Sequence, residues 1–203
     1  MLGLPKTTEM GRPLSKKAIF ERFKPAPAAK QRFDAEIHRL ALVNEVSPST
    51  VNIAVGENIS AFYVVLVSLK SAGCDQKNLA LLGKLIDQNM LFVLEHGGQA
   101  RLAVNRAGLV VQSAWKPLEE WAIDLTGLDL DSVWENIIIQ IGSLEIAEGK
   151  TLDEQLADDE ERERRLRQIE WLEKQARNEK QPRRKWELAE EVKQLKSKLA
   201  IKL

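Results

Sequence analysis

Residues 151–203 hold fourteen Lys/Arg and thirteen Asp/Glu, set among apolar residues at helical intervals. Few folds accept that pattern. Ile169, Leu172 and Ala176 step by three and four, and Leu188, Val192, Leu195 and Leu199 step by four, three and four. Each run is a short heptad seam. Between them stands Gln181-Pro182. Proline is excluded from helix interiors and accepted in the first turn. The pattern therefore predicts two helices folded back on each other, with a mixed Glu and Arg/Lys exterior. Trp171 and Trp186 are large for so small a seam. Two readings stand for them: a staple across the loop end, or an anchor for a partner, since tryptophan is favoured at interface hot spots. The candidate partner-binding residues are Trp171, Trp186, Leu188, Val192 and Leu195. Self-association of the hairpin into a homodimer is equally compatible.

The preceding 148 residues read as one α+β domain, giving an expected division into 1–148 and a hairpin at 149–203. Ser15 is a candidate N-cap for a short helix over 16–23, which Pro25 and Pro27 end. A longer helix is expected over 28–45, because Phe33, Ile37, Leu40 and Ala41 recur at helical steps. Strands are expected at 51–55 and 59–69, then a helix from Gln76 to Asp87 capped by Asp75. A meander follows over 90–95, 99–105 and 107–113, turned at Gly97-Gly98. Residues 115–125 read as irregular, and 131–144 as a helix that packs on the sheet. The expected fold is a mixed, mostly antiparallel sheet with packed helices on one face, plus a C-terminal antiparallel two-helix coiled-coil hairpin.

Composition narrows the function classes. The lone Cys74 excludes an internal disulfide and suits a reducing cytoplasm. No apolar run approaches the ~20 residues a membrane helix needs, and the N-terminal residues lack the apolar core of a signal peptide. Residues 1–50 carry a net +4, residues 51–150 a net −5 and residues 151–203 a net +1. The basic candidates for phosphate are Lys6, Arg12, Lys16, Lys17, Arg22 and Lys24, with Arg183, Arg184 and Lys185 in the hairpin. The chain's pI of about 6.8 is well below the common nucleic-acid footprint.

No catalytic constellation emerges. Gly149-Lys150-Thr151 resembles the end of a phosphate-binding loop, but position 144 is Leu where the motif needs Gly. The acid-x-Lys matches of a restriction-type nuclease are Asp75-Gln76-Lys77, Glu148-Gly149-Lys150 and Glu191-Val192-Lys193, none on a predicted strand. A divergent metal-dependent nuclease would draw on Asp87 and Glu95, which flank the Met90 strand. Two histidines, His38 and His96, and one cysteine do not make a zinc site. The residues thus assign no catalytic group, cofactor or metal.

The segments Leu4-Pro5-Lys6-Thr7-Thr8, Ser47-Pro48-Ser49-Thr50-Val51-Asn52, the strand Met90 to Glu95, the run Gly127 to Asn136 and the charged hairpin occur together in order. In this the chain resembles an uncharacterised bacterial family, domain of unknown function 4391, over nearly its whole length. The family has no established catalytic residues. The resemblance implies a neighbourhood of DNA methyltransferases and helicase-like restriction subunits. The leading expectation is a non-catalytic accessory or adaptor protein of a restriction-modification or phage-defence system, acting through protein contacts. The rival expectations are a nucleic-acid-binding module and the divergent nuclease.

Overall fold

The chain divides into two compact units, Met1–Glu145 and Ile146–Leu203. The computed structural model describes residues 2–84, 88–106 and 108–200, with side chains through Ser197. In the first unit the elements run β1 (Glu9–Leu14), α1 (Lys16–Phe23), α2 (Pro27–Glu36), β2 (Ile37–Val46), β3 (Phe62–Leu69), α3 (Gln76–Leu82), β4 (Asn89–His96), β5 (Gln99–Arg106), β6 (Leu109–Gln112), β7 (Lys116–Pro117) and α4 (Leu130–Gly142). Among the described residues these strands form one seven-stranded sheet in the order β1 to β6, with β7 paired to β5. Only β3 and β4 run parallel, joined through α3. The class is α+β with a mixed, mostly antiparallel sheet.

The helix expected over 28–45 is half helix and half strand. Pro27 occupies its first turn, and the helix ends at Glu36, where the chain turns extended into β2. The helical spacing after that point comes from β-bulges. Ile37 pairs with Leu69, but Arg39 already pairs with Ser68, and a second shift lies between Leu42 and Asn44. An extra residue in a strand converts a two-residue repeat into a three-residue step, so Ile37 to Leu40 imitates a helix. β1 was not expected at all. It is an edge strand, exposed along nearly its whole length, so it has no buried alternation to read. Pro13, Glu9 and Arg12 suit an edge that must not pair further. The strand expected at 51–55 reduces to a single parallel bridge between Ala54 and Asp129.

Helices cover both faces of the sheet, not one. Ile19 of α1, Phe33 of α2 and Leu79 and Leu82 of α3 pack on Leu40, Leu42, Val65, Val67, Phe92 and Leu94. The alternate residues Phe62, Val64, Leu91, Val93, Leu102 and Val104 point the other way and are equally buried. There α4 packs against β5 and β6, and Trp134 meets Phe62 with ring centroids 5.1 Å apart. The helix expected to reach Asp87 is described to Leu82. Its expected residues Leu85, Ile86 and Asp87 lie outside the described residues, as does Ala107 ahead of β6. The β4–β5 hairpin turns on Gly97 (φ 59°) and Gly98 (φ 80°), the positive values a two-residue hairpin turn requires.

The second unit holds α5 (Leu152–Asn178) and α6 (Pro182–Ala200). Thr151 opens α5 with a capping box: its Oγ1 accepts from Glu154 N at 3.3 Å, and Glu154 Oε2 accepts from Thr151 N at 2.9 Å. The link folds back around Glu179, whose Oε1 accepts from Lys180 N at 2.8 Å and Gln181 N at 2.9 Å. A three-residue link between packed helices makes them antiparallel. Ile169, Leu172, Leu188 and Val192 form the buried seam, with Ala176 and Leu195 against it. Lys196 Nζ reaches Glu173 Oε1 at 2.7 Å from the facing helix. Leu199, the last expected seam residue, has its side chain outside the described set.

Candidate functional site

The sheet's parallel pair ends where the sequence placed an acid and a histidine. Glu95 of β4 pairs in register with Ser68 of β3, which pairs with Arg39 of β2. Arg39, Ser68 and Glu95 thus form one row across three strands. Glu95 Oε1 is engaged locally, accepting from Gly98 N at 3.2 Å. His96 Nδ1 lies 3.3 Å from Leu69 O, and His38 occupies the bulge between Ile37 and Arg39. Both histidines therefore flank the end of β3. Among the described residues no group of three or more His, Cys, Asp or Glu is placed to hold a metal. Asp87, the other acid named for a nuclease, is outside the described residues.

Asp75-Gln76-Lys77 is a helix start. Asp75 Oδ1 accepts from Lys77 N at 2.8 Å, and its Oδ2 meets Arg32 Nη1 at 2.8 Å. The Lys77 amide first, with the Arg32 guanidinium, holds this carboxyl below its ordinary range. Glu36 Oε2 accepts from Asp75 N and Asn78 Nδ2, each at 2.8 Å. Cys74 sits in this knot. Burial first, then the Glu36 and Asp75 charges, pushes its thiol up to about 12. A thiol so placed is protonated and inert at neutral pH. Of the other acid-x-Lys matches, Glu148-Gly149-Lys150 lies in the turn before α5 and Glu191-Val192-Lys193 lies in α6.

The sequence segments that carried the resemblance meet in pairs. Thr7 Oγ1 donates to Thr50 O at 2.6 Å. Asn44 Nδ2 donates to Thr8 Oγ1 at 2.8 Å, and Thr8 Oγ1 donates to Pro5 O at 2.7 Å. Thr50 Oγ1 closes the bend by bonding to Glu45 O and to Ser47 N. The run Gly127 to Asn136 is tied to residues 54–59 in the same way. Asp129 Oδ1 caps α4 by accepting from Ser132 N at 2.8 Å. Asp131 accepts from Asn58 N at 3.0 Å, Asn58 Nδ2 at 3.1 Å and Ile59 N at 2.8 Å. Those amides, Asn58 first, lower the Asp131 carboxyl. At this edge Leu128 is 91% exposed and Val55 56% exposed. The sequence pattern places Val55 in the alternating strand expected over 51–55, which does not form, and gives Leu128 no role, because an exposed apolar residue in a loop has no periodic signature.

The basic candidates are not brought together as one free patch. Lys16 Nζ bonds to Ile37 O and lies 3.3 Å from Asp34 Oδ1, so it braces α1 against α2. Lys17 lies 3.8 Å from Glu21, and the Arg22 guanidinium lies over the Phe23 ring. Lys6, Arg12 and Lys24 are exposed, on the entry turn, the edge strand and the left-handed cap of α1 respectively. In α6, Arg183 and Arg184 both face Glu187, at 3.3 and 3.8 Å, and Lys185 is exposed.

In the hairpin, Leu188 and Val192 are spent on the seam, with Leu195 half-buried beside them. Trp171 and Trp186 remain 57% and 66% exposed. The staple expected between them does not form. At 100° per residue, Trp171 sits about 130° from the centre of the α5 seam, on the side away from Glu173. Trp186 sits about 150° from the α6 seam, on the side of Lys196. Because Glu173 and Lys196 mark one flank of the hairpin, the two indoles stand on opposite flanks.

The family model described as "Domain of unknown function (DUF4391)" matches residues 2–199, and the chain belongs to that family. No curated protein and no solved structure matches the chain.

Proposed function

We propose that this member of the family is a non-catalytic accessory protein of a bacterial DNA restriction-modification or phage-defence system, working in the cytoplasm through protein–protein contacts. The observation that carries the reading is the hairpin: its seam is closed by Ile169, Leu172, Leu188 and Val192, yet two indoles stay in water outside it. An exposed tryptophan held on a helix offers a large apolar area at little entropic cost, which is the make-up of an interface hot spot. Indoles on opposite flanks suit a partner that grips the hairpin from both sides. The setting, with a methyltransferase or helicase-like subunit as partner, rests on the gene neighbourhood that the family resemblance implies. The absence of a helix long and apolar enough to cross a membrane among the described residues fits this picture.

The test is co-purification of the tagged chain expressed with its neighbouring genes. The wild-type chain is expected to bring a methyltransferase or helicase-like subunit with it, and the Trp171→Ala/Trp186→Ala variant to lose it while keeping its helix content. Recovery of the wild-type chain alone and monomeric would sink the proposal. Nucleic-acid binding gains no comparable support, since Lys16, Lys17, Arg183 and Arg184 already face carboxylates of their own chain.

A further inference from the structure

The outer side of α5 carries a second stripe, apart from the seam. At about 100° per residue, Asp153, Ala157 and Glu160 lie within about 40° of the Trp171 direction. Arg164 and Arg167 do so as well, and Lys174 is about 60° from it. Each of these side chains is exposed. We propose that α5 pairs along this stripe with α5 of a second copy, antiparallel about a twofold axis between residues 163 and 164. The inference goes beyond the accessory reading and does not depend on it.

The stripe changes sign along its length. Its first half sets the carboxylates of Asp153 and Glu160 around the small Ala157. Its second half sets Arg164, Arg167 and Lys174 around the indole. Reversing the helix about that axis brings Lys174 level with Asp153 of the copy and Arg167 level with Glu160. Trp171 comes level with the turn that ends at Ala157. The twofold axis makes each contact twice. A large indole between packed helices fits best across from a small side chain, and Ala157 is the small residue in that turn.

Not every pair contributes. Arg167 already meets Glu160 at 3.0 Å and Glu163 at 3.1 Å within its own helix, so exchanging those exposed pairs across the axis is close to neutral. Arg164 and Lys174 face no carboxylate among the described residues. Those two cations and the indole are what the pairing satisfies. Charge also selects the occupant. A ligand of one sign, nucleic acid and an anionic membrane included, matches one half of the stripe and is repelled by the other. An antiparallel copy of α5 matches both halves. Around Trp186 the charges are spent locally: Arg183 lies 3.3 Å from Glu187, and Glu190 lies 3.9 Å from Lys193. That indole, on the opposite flank, is left for the partner of the accessory reading.

The test is sedimentation equilibrium of the full chain over a range of concentrations. The mass is expected to rise from 22.9 kDa toward twice that value. Trp171→Ala removes two indoles from the interface and is expected to raise the dimer's Kd about tenfold. Trp186→Ala is expected to leave it unchanged. Asp153→Lys alone and Lys174→Glu alone each set like charges level with one another twice. Both are expected to be monomeric where the wild type is dimeric. An equimolar mixture of these two variants is expected to recover the dimer, because each arm then meets an opposite charge. Circular dichroism checks that every variant keeps its helix content. The pairing is overturned if the wild type stays at 22.9 kDa at every concentration, if Trp171→Ala or either charge variant dimerises as the wild type does, or if the mixture stays monomeric. A wild-type monomer that loses its co-purified subunit on Lys174→Glu gives the stripe to that subunit, which overturns the pairing and keeps the accessory reading.

Discussion

Gly56→Ala tests whether the Asp131 clamp is as tight as its geometry states. Gly56 does not adopt a positive φ, so the substitution carries no backbone penalty of that kind. The obstacle is contact. An added Cβ would lie 2.2 Å from Asp131 Oδ1, 2.5 Å from Cγ and 2.7 Å from the backbone nitrogen. Ordinary carbon contacts are ~3.5–4.0 Å. A side chain swings away from such an overlap, but the nitrogen belongs to the first turn of α4. Either that turn shifts, or residues 56–59 leave the carboxylate that accepts three of their N–H groups. Overpacking of this kind costs about 1–3 kcal/mol, which in a chain of this size lowers the melting temperature by roughly 3–10 °C. The natural control is Gly73→Ala, where no atom lies within 4 Å and φ is also not positive; it is expected to be neutral or slightly stabilising. Calorimetry of the three proteins decides the matter. If Gly56→Ala melts with the wild type and the control, the turn at residues 56–59 is not clamped by Asp131.

Two further outcomes follow from the packing. Leu172→Ala is expected to cost about 2–5 kcal/mol of hairpin stability, while Trp171→Ala or Trp186→Ala changes it by no more than about 0.5 kcal/mol, as helix content in a thermal melt by circular dichroism will show; equal losses from all three would return the indoles to the seam. Cys74 is expected to react with iodoacetamide at pH 8 about a hundredfold more slowly in the native chain than in urea, because a thiol at about 12 is almost wholly protonated there, an effect the greater nucleophilicity of its thiolate only partly offsets. Its raised value also fixes a pH dependence. The stability it contributes is complete below the unfolded thiol's pKa of about 8.5 and is lost as pH rises from there toward the folded value. Alkylation that proceeds equally fast with and without urea would contradict both statements.

What could be read from the sequence followed from which residues obey a period. The hairpin helices, α1, α4 and the Gly97-Gly98 turn each announce themselves through a seam, a cap or a pair of glycines. β2 was misread because two bulges broke its alternation, and the broken pattern happened to match a helix through Phe33, Ile37 and Leu40. β1 was missed because an exposed edge strand has no pattern to break. The exposed leucine at 128 was missed for a related reason. Its position depends on Gly127 packing against Val133 and on Asp129 capping α4. The tryptophans are legible as candidates in the sequence, but their flanks follow only from the orientation of the seam.

Three of the segments on which the resemblance was read knot the first unit. Leu4 to Thr8 and Ser47 to Thr50 close the bend at the end of β2 through Thr7, Thr8 and Asn44. Gly127 to Asn136 ties the start of α4 to the turn at residues 56–59. Several polar groups of these segments, among them Thr7, Thr8, Thr50 and Asp131, are engaged by hydrogen bonds to their own chain. A chemical role would instead require groups that are placed but uncommitted. Asn44 Oδ1 is buried and lacks a protein donor, yet its neighbours Thr8 and Ser47 are buried with it, which suits a bound water better than a reactant. The large apolar side chains most open to water are Leu128, Trp186, Trp171 and Val55, and the cations Lys6, Arg12, Lys24 and Lys185 are exposed as well. The two exposed indoles are the ground on which contact with other proteins is proposed above.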